Sequence, residues 1–124
     1  MENICISENK KYLTSGGKPF FWLGDTAWLL FQKTSEQEAY AYLKNRAEKG
    51  YNVIQAVLVY ATPELQDINK MYIPNCDVKS EQYWQYCDKI IKYAEKLGMY
   101  MGLLPSWGSL VKHGFITEEN AGTS

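Results

Sequence analysis

The chain has few of the residues that build metal centres and disulfide frameworks. It carries one histidine and three cysteines in 124 residues. The cysteines, at positions 5, 76 and 87, are too scattered for a zinc motif or a disulfide framework. His113 has no Cys, Asp or second His at metal-ligand spacing. We therefore expect no metal site and interpret His113 as a solvated loop residue.

Neither sign of charge is in excess. The 13 Lys and Arg residues stand against 14 Asp and Glu residues, the formal net charge is −1, and the two signs are interspersed. No basic face is present, so nucleic acid is not an expected partner. The chain also lacks a phosphate-binding glycine motif, which is the usual signal for a nucleotide, and we expect no cofactor.

Long apolar runs are absent as well. None is long enough to span a bilayer, and the N-terminus lacks the cationic region and apolar stretch of a secretory signal. The sequence therefore predicts no membrane association and a cytoplasmic location.

The chain does contain three shorter apolar segments that end in aromatic and polar residues. They are residues 20–28, 53–60 and 99–108. Two amphipathic helices are predicted between them, one beginning at a Ser35–Glu38 capping box and one after Ser80. Each helix closes on a glycine, and the next strand follows at once. The order β-α-β-α-β, with strands that are apolar on both faces, is typical of a parallel α/β fold.

This pattern predicts part of a (β/α)8 TIM barrel. A complete barrel takes about 250 residues. The chain therefore has room for about the first three βα units, placed at residues 19–124 of one domain that spans residues 1–124. The turns before them predict a short N-terminal β-hairpin over residues 1–18 that closes one end of the barrel. Periodicity alone does not separate a barrel from an open doubly wound sheet. A three-stranded piece has open strand edges, so we also expect self-association.

The predicted strand ends carry the candidate binding residues. Trp28, Tyr60 and Trp107 each lie just past a strand, where an aromatic ring either stacks on a sugar or packs beneath a loop. Asp25 either contacts a ligand or caps the backbone that follows it. It has no visible carboxylate partner, whereas most glycosidases use two acids. Gln55 is an amide among aliphatic residues, and it needs hydrogen-bond partners in a structural or a site-orienting role.

Four blocks of sequence occur in an order that resembles the apiosidase-like catalytic domains of glycoside hydrolase family 140 and its relatives, long catalogued as domain of unknown function 4038. The blocks are residues 18–28, 42–55, 94–98 and 102–108. Residues 115–121 are similar to the start of the third barrel helix of that family. The resemblance covers nearly the whole chain from about Tyr12.

The resemblance implies a (β/α)8 barrel that uses two carboxylates to hydrolyse glycosides of plant cell-wall polysaccharides, including apiosides of rhamnogalacturonan II. In the family the catalytic acids lie on a later strand and beyond, which implies that they fall after Ser124 and that the chain alone is inactive. The resemblance places five residues at the border of the sugar pocket, as substrate-binding residues. They are Asp25, Trp28, Gln55, Tyr60 and Trp107. Many members of the family are exported, although no signal is visible here.

Two other interpretations stay open. The chain is alternatively a self-standing carbohydrate-binding or scaffold protein that uses its aromatic strand ends without chemistry. A small open-sheet α/β domain with an unrelated ligand is the third interpretation, and the missing phosphate loop disfavours it.

Overall fold

The computed structural model describes residues 1–59 and 81–106. Their elements are, in order, β1 (Ile4–Ile6), β2 (Leu13–Ser15), β3 (Lys18–Phe20), β4 (Gly24–Thr26), α1 (Leu30–Lys33), α2 (Glu36–Glu48), β5 (Val53–Val59), α3 (Glu81–Lys96) and β6 (Tyr100–Ser106). The α/β class predicted from the sequence is confirmed. Within these two stretches, no helix combines the length and the apolar composition needed to cross a membrane.

Strands β4, β5 and β6 form a parallel sheet with β5 in the centre. Thr26 pairs with Gln55, and Gln55 pairs with Gly102, so one row of residues crosses all three strands. Among the described residues, β4 and β6 are each paired on one side only. The sheet therefore has two open edges in this part of the chain.

The helix termini follow local rules. Ser35 Oγ accepts a hydrogen bond from the Glu38 amide (3.3 Å), and Glu38 Oε2 accepts one from the Ser35 amide (2.8 Å), which is the predicted capping box. Gly50 follows α2 at a φ of +87°, and Gly98 follows α3 at a φ of +77°. This left-handed conformation favours glycine, and it lets the chain turn directly into the next strand. The predicted cap of α3, Ser80, lies outside the described residues.

The hydrophobic core lies between the helices and one face of the parallel sheet. Its buried members are Leu30, Phe31, Ala39, Leu43, Ile54, Ala56, Tyr83, Tyr86, Cys87, Ile90, Ala94 and Met99. Tyr40 of α2 and Tyr93 of α3 stack beside it, with ring centroids 4.0 Å apart. Because side chains alternate along a strand, Ile54 and Ala56 enter the core while Gln55 points to the other side of the sheet.

The first parallel strand is not the apolar run that the sequence indicates. The sequence predicts a strand that begins with the apolar residues at Phe20 and ends at Asp25, but the parallel strand β4 is only Gly24–Thr26, at the end of that segment. Asn52 holds the residues between β3 and β4, because its Nδ2 donates to the Phe21 carbonyl (2.6 Å) and its Oδ1 accepts from the Leu23 amide (2.8 Å). The Leu23 carbonyl also accepts backbone hydrogen bonds from the Asn52 and Val53 amides (3.0 and 3.3 Å), and Phe21 remains 79% exposed.

The N-terminal residues form a three-stranded antiparallel sheet, β1-β2-β3, in which β1 and β2 pair within the segment 1–18 predicted as a hairpin, and β3 adds a third strand. Tyr100, the first residue of β6, connects the two sheets. Its hydroxyl lies 2.9 Å from Ser15 Oγ, and its ring packs edge to face on Phe20 with centroids 5.3 Å apart. The small sheet therefore lies at the N-terminal ends of the parallel strands, away from the ends that carry the predicted site residues.

Candidate functional site

The parallel sheet has two chemically different faces. Residues that pair across parallel strands point to the same side, so Asp25, Ile54 and Met101 share the face that packs on the helices. The opposite face, the helix-distal face, carries Gly24, Thr26, Val53, Gln55, Val57, Val59, Tyr100, Gly102, Leu104 and Ser106. Two of the predicted site residues are thus separated, since Asp25 points toward the helices and Gln55 points away from them.

Asp25 is bound to helix α2. Its Oδ2 accepts hydrogen bonds from Tyr42 Oη (2.8 Å) and Arg46 Nε (2.5 Å), and its Oδ1 accepts one from the Thr26 amide (2.9 Å). Burial raises the pKa of Asp25, but these hydrogen bonds and the charge of Arg46 outweigh burial, so the pKa lies below the usual value for an aspartate. A carboxylate held in this way stays ionised and is a poor proton donor.

The partners of Asp25 form one cluster with it. Burial, together with the hydrogen bond to Asp25, raises the pKa of Tyr42 to about 12. The Arg46 guanidinium lies 4.9 Å from the centroid of the Tyr42 ring and 5.8 Å from that of Tyr51, a cation–π arrangement. Of the two roles that the sequence leaves open for Asp25, these contacts favour the structural one, because they fasten the end of β4 to α2.

Gln55 lies in β5 on the helix-distal face. Its carbonyl accepts a hydrogen bond from the Ala27 amide (2.8 Å), whereas its side-chain amide makes none with the described residues. A Cβ atom built on Gly102 would lie 3.2 Å from Gln55 Cγ. The glycine thus leaves room for the Gln55 side chain to lean toward β6, and the amide stays available to a ligand at this face.

Trp22 was missed by the sequence analysis as a site residue. A Cβ on Gly24 would lie 3.0 Å from Trp22 Nε1, and a Cβ on Gly102 would lie 3.8 Å from Trp22 Cζ2. One edge of the indole therefore rests on two glycines of the helix-distal face, beside the fully buried Val53, while the side chain is 43% exposed. The sequence signal was weak, because these glycines are far apart in the chain and each looks ordinary by itself.

Trp28 lies in the turn between β4 and α1. It lines a cavity of about 390 Å³ together with Ala27, Leu29, Leu30, Lys33, Thr34 and Tyr42. None of these lining residues belongs to the helix-distal face, so the described residues do not bring Trp28 and Gln55 into one cavity. The other two predicted aromatic residues, Tyr60 and Trp107, lie outside the described residues.

A second buried amide, Gln32 of α1, was also missed. Its side chain is 1% exposed, and its Nε2 lies within hydrogen-bond distance of the Val57 carbonyl (3.2 Å), the Leu58 carbonyl (3.1 Å) and Tyr83 Oη (2.8 Å). Gln32 therefore connects α1 to the end of β5 and to α3. A four-residue helix has no readable periodicity, so the available signal was a glutamine directly after an apolar triplet.

Acidic groups are missing from the helix-distal face of the described strands, where neither β4, β5 nor β6 places an Asp or Glu. Across residues 1–59 and 81–106, no group of three or more His, Cys, Asp or Glu side chains is placed to hold a metal ion. The described face thus offers amide, hydroxyl and aromatic groups, which bind neutral polar ligands by hydrogen bonding and stacking.

The family model and three solved structures that match this chain describe glycoside hydrolases or their catalytic domains. The model of the apiosidase-like catalytic domain matches residues 7–123. A solved glycoside hydrolase superposes with a TM-score of 0.81 at 34% identity, and a family 5 glycoside hydrolase from Bacteroides vulgatus superposes with 0.80 at 32%. A family 5 mannosidase from Rhizomucor miehei, at 16% identity and a TM-score of 0.68, shares the fold. No curated protein matches significantly.

The matches cover most of this chain and a minor part of the solved structures. The alignment with the first glycoside hydrolase covers 97% of this chain and 29% of that protein. The alignment with the Bacteroides vulgatus protein covers 95% of this chain and 28% of that protein. The chain therefore spans less than a third of the length of these relatives.

Proposed function

This chain belongs to the family of apiosidase-like catalytic domains, and we propose that it supplies the first three βα units of a (β/α)8 barrel that hydrolyses plant cell-wall glycosides. In this proposal the chain provides part of the sugar-binding wall, and the catalytic carboxylates come from the remainder of the barrel. The cytoplasmic location stays a prediction, since family members are often exported.

The observation that carries this proposal is the composition of the helix-distal face. In a barrel, the face of the sheet that points away from the helices lines the interior, and active sites form at the C-terminal ends of the strands. Here that face carries Thr26 and Gln55 but no carboxylate among the described strands. Glycoside hydrolysis generally takes two carboxyl groups on either side of the scissile bond. A wall with this composition is suited to binding and lacks the acids for cleavage.

Within this proposal the predicted site residues have different roles. Gln55 faces the sugar directly, and Trp28, Tyr60 and Trp107 border the pocket from the turns that follow the strands. Asp25 lies on the helix side of the sheet, where its carboxylate accepts hydrogen bonds from Tyr42 and Arg46 of α2. It holds the end of β4 in place and does not itself contact the sugar.

The experiment that tests the proposal combines binding with hydrolysis. The purified 124-residue chain is titrated with oligosaccharides from rhamnogalacturonan II, and the release of reducing sugar is followed in the same samples. We expect saturable binding without turnover. Sustained turnover would show that the catalytic acids are within the chain. Absence of binding would remove the sugar-binding role.

The alternative, a self-standing carbohydrate-binding protein, differs in its expected behaviour in solution. Phe21 is 79% exposed, Leu23 is 40% exposed, and both edge strands of the parallel sheet are open among the described residues. These features support self-association of the isolated chain through strand edges. Size-exclusion chromatography separates the two candidates, since a self-standing domain elutes as a cooperatively folding monomer, whereas we expect dimers or larger species.

A further inference from the structure

Helix α2 packs against α3 along one of its sides. Tyr40 of α2 stacks on Tyr93 of α3, with ring centroids 4.0 Å apart. Successive residues of a helix are rotated by about 100°, so Tyr42, two positions after Tyr40, points to the opposite side of α2. There the Tyr42 hydroxyl donates to Asp25 Oδ2 of β4, and the residue lines the cavity of about 390 Å³. The cavity therefore lies beside α2 on the side away from α3.

The open edge of β4 lies on the same side of the sheet. The strand order is β4-β5-β6, so among the described residues β4 has a partner strand on one side only, the side that leads toward α3. The cavity is lined by residues 27–34 and Tyr42, and β5, β6 and α3 contribute no lining residue among those described. It thus lies at the border of the described structure, next to the strand edge that lacks a neighbour.

The cavity offers hydrocarbon surface and few free polar groups. Two polar side chains that line it are already hydrogen bonded, since Thr34 Oγ1 donates to the Leu30 carbonyl (2.5 Å) and Tyr42 Oη donates to Asp25 (2.8 Å). Lys33 also lines the cavity and is exposed to solvent. An apolar cavity of about 150 Å³ takes up one benzene molecule, so this larger one has room for more than one apolar side chain. Its chemistry fits a protein surface better than a sugar.

A closed barrel determines which part of the protein reaches this cavity. In a (β/α)8 barrel each strand pairs on both sides, and the helices form a continuous outer ring. With β4 as the first strand, β5 and β6 are the second and third, so the strand that pairs with the open edge of β4 is the eighth. The matching glycoside hydrolase has room for such a unit, because the alignment covers only 29% of it.

We propose that this cavity receives apolar side chains of the eighth βα unit, which closes the barrel against β4 and α2. This inference rests on the proposed function, and it names the segment of the complete polypeptide that docks on this chain and the place where it docks. The helix of that unit lies on the side of α2 opposite to α3, and Tyr42 contacts it while holding Asp25 of β4.

The experiment maps the neighbours of Lys33 in the complete polypeptide to which we assign this chain. Lys33→p-benzoylphenylalanine places a photoreactive group on an exposed position of the cavity lining. After irradiation, mass spectrometry of the digest identifies the cross-linked peptides, and we expect them to come from the eighth βα unit. The control is Lys44→p-benzoylphenylalanine, at a position of α2 whose side chain is 64% exposed and lies outside the cavity lining. It should give no cross-link to that unit.

A second readout uses the unaltered protein. Acetylation of lysines is followed by mass spectrometry in the complete polypeptide and in the 124-residue chain. We expect Lys33 to react severalfold more slowly in the complete polypeptide and Lys44 to react equally fast in both. Cross-links from position 33 to a second copy or to the unit directly after residue 124, or equal acetylation of Lys33 in both proteins, would refute the docking. Glycoside hydrolysis by the complete polypeptide would then leave the proposed function standing. If the native polypeptide has only these 124 residues, both fall.

Discussion

The cluster of Asp25, Tyr42 and Arg46 allows the sharpest stability prediction. Replacing Asp25 with Asn keeps the size of the side chain and removes the charge that Arg46 Nε contacts at 2.5 Å. The two side chains are 27% and 28% exposed, so their interaction is screened less than a surface pair and more than a buried one. Hydrogen bonds to charged groups contribute about 1.5–3 kcal/mol, and partial exposure reduces this to about 1–2 kcal/mol.

Urea denaturation followed by circular dichroism measures this change at a fixed protein concentration. For Asp25→Asn we expect the free energy of unfolding to fall by about 1–2 kcal/mol, which corresponds to a melting temperature lower by roughly 4–12 °C. The control is Glu48→Gln, which removes a carboxylate 3.9 Å from Lys44 Nζ whose side chain is 65% exposed. That pair should contribute at most about 0.5 kcal/mol.

The same prediction has a pH dependence of known sign. The pKa of Asp25 is lower in the folded chain than in the unfolded one, so its stabilising effect is present above the usual aspartate pKa of about 3.9 and is lost as pH falls. The difference between the original chain and Asp25→Asn should therefore shrink below about pH 4. Equal stability of the two chains at pH 7 would refute a structural role for Asp25 and return its carboxylate to the candidates for ligand contact.

Three further predictions concern other features. Gly102→Ala places a methyl group 3.2 Å from Gln55 Cγ and should cost about 1 kcal/mol in denaturant unfolding, with less sugar bound at a given concentration. Ser35→Ala removes the cap that bonds the Glu38 amide and should cost about 1 kcal/mol, seen as a lower denaturation midpoint. Tyr42 has a pKa raised to about 12, and that of Tyr40 is raised as well, so ultraviolet titration should show late-ionising tyrosines. The stability that Tyr42 contributes should be lost from about pH 10 to 12, and Tyr42→Phe should lack this part of the loss and of the late titration.

Local signals in the sequence predicted much of the fold. The Ser35–Glu38 capping box and the closing glycines of both long helices are read from residues a few positions apart, and the structure confirms them. The apolar run at residues 20–23 misled the strand prediction, because its backbone is bonded by the distant side chain of Asn52. Long-range hydrogen bonds of this kind have no counterpart in local periodicity.

The candidate site was less predictable for a related reason. Gln55 stands out as an amide among aliphatic residues, so sequence alone identifies it. The environment of Asp25 depends on two side chains of α2, and a strand position does not reveal whether it faces helices or the barrel interior. The position of the Trp22 ring depends on the space left by Gly24 and Gly102. These glycines come together only when β4 and β6 flank β5. The sequence therefore identifies a residue type that is unusual for its position more readily than a contact between residues that are far apart in the chain.

The most direct test of the account is the intact mass of the polypeptide in its native cells. The solved glycoside hydrolase that this chain matches is more than three times as long, since the alignment covers 29% of it. If the chain is part of a complete barrel enzyme, mass spectrometry will find a polypeptide more than about three times the 14.3 kDa of the 124 residues. A native polypeptide of 14.3 kDa would contradict the account and leave a binding or scaffold protein in its place.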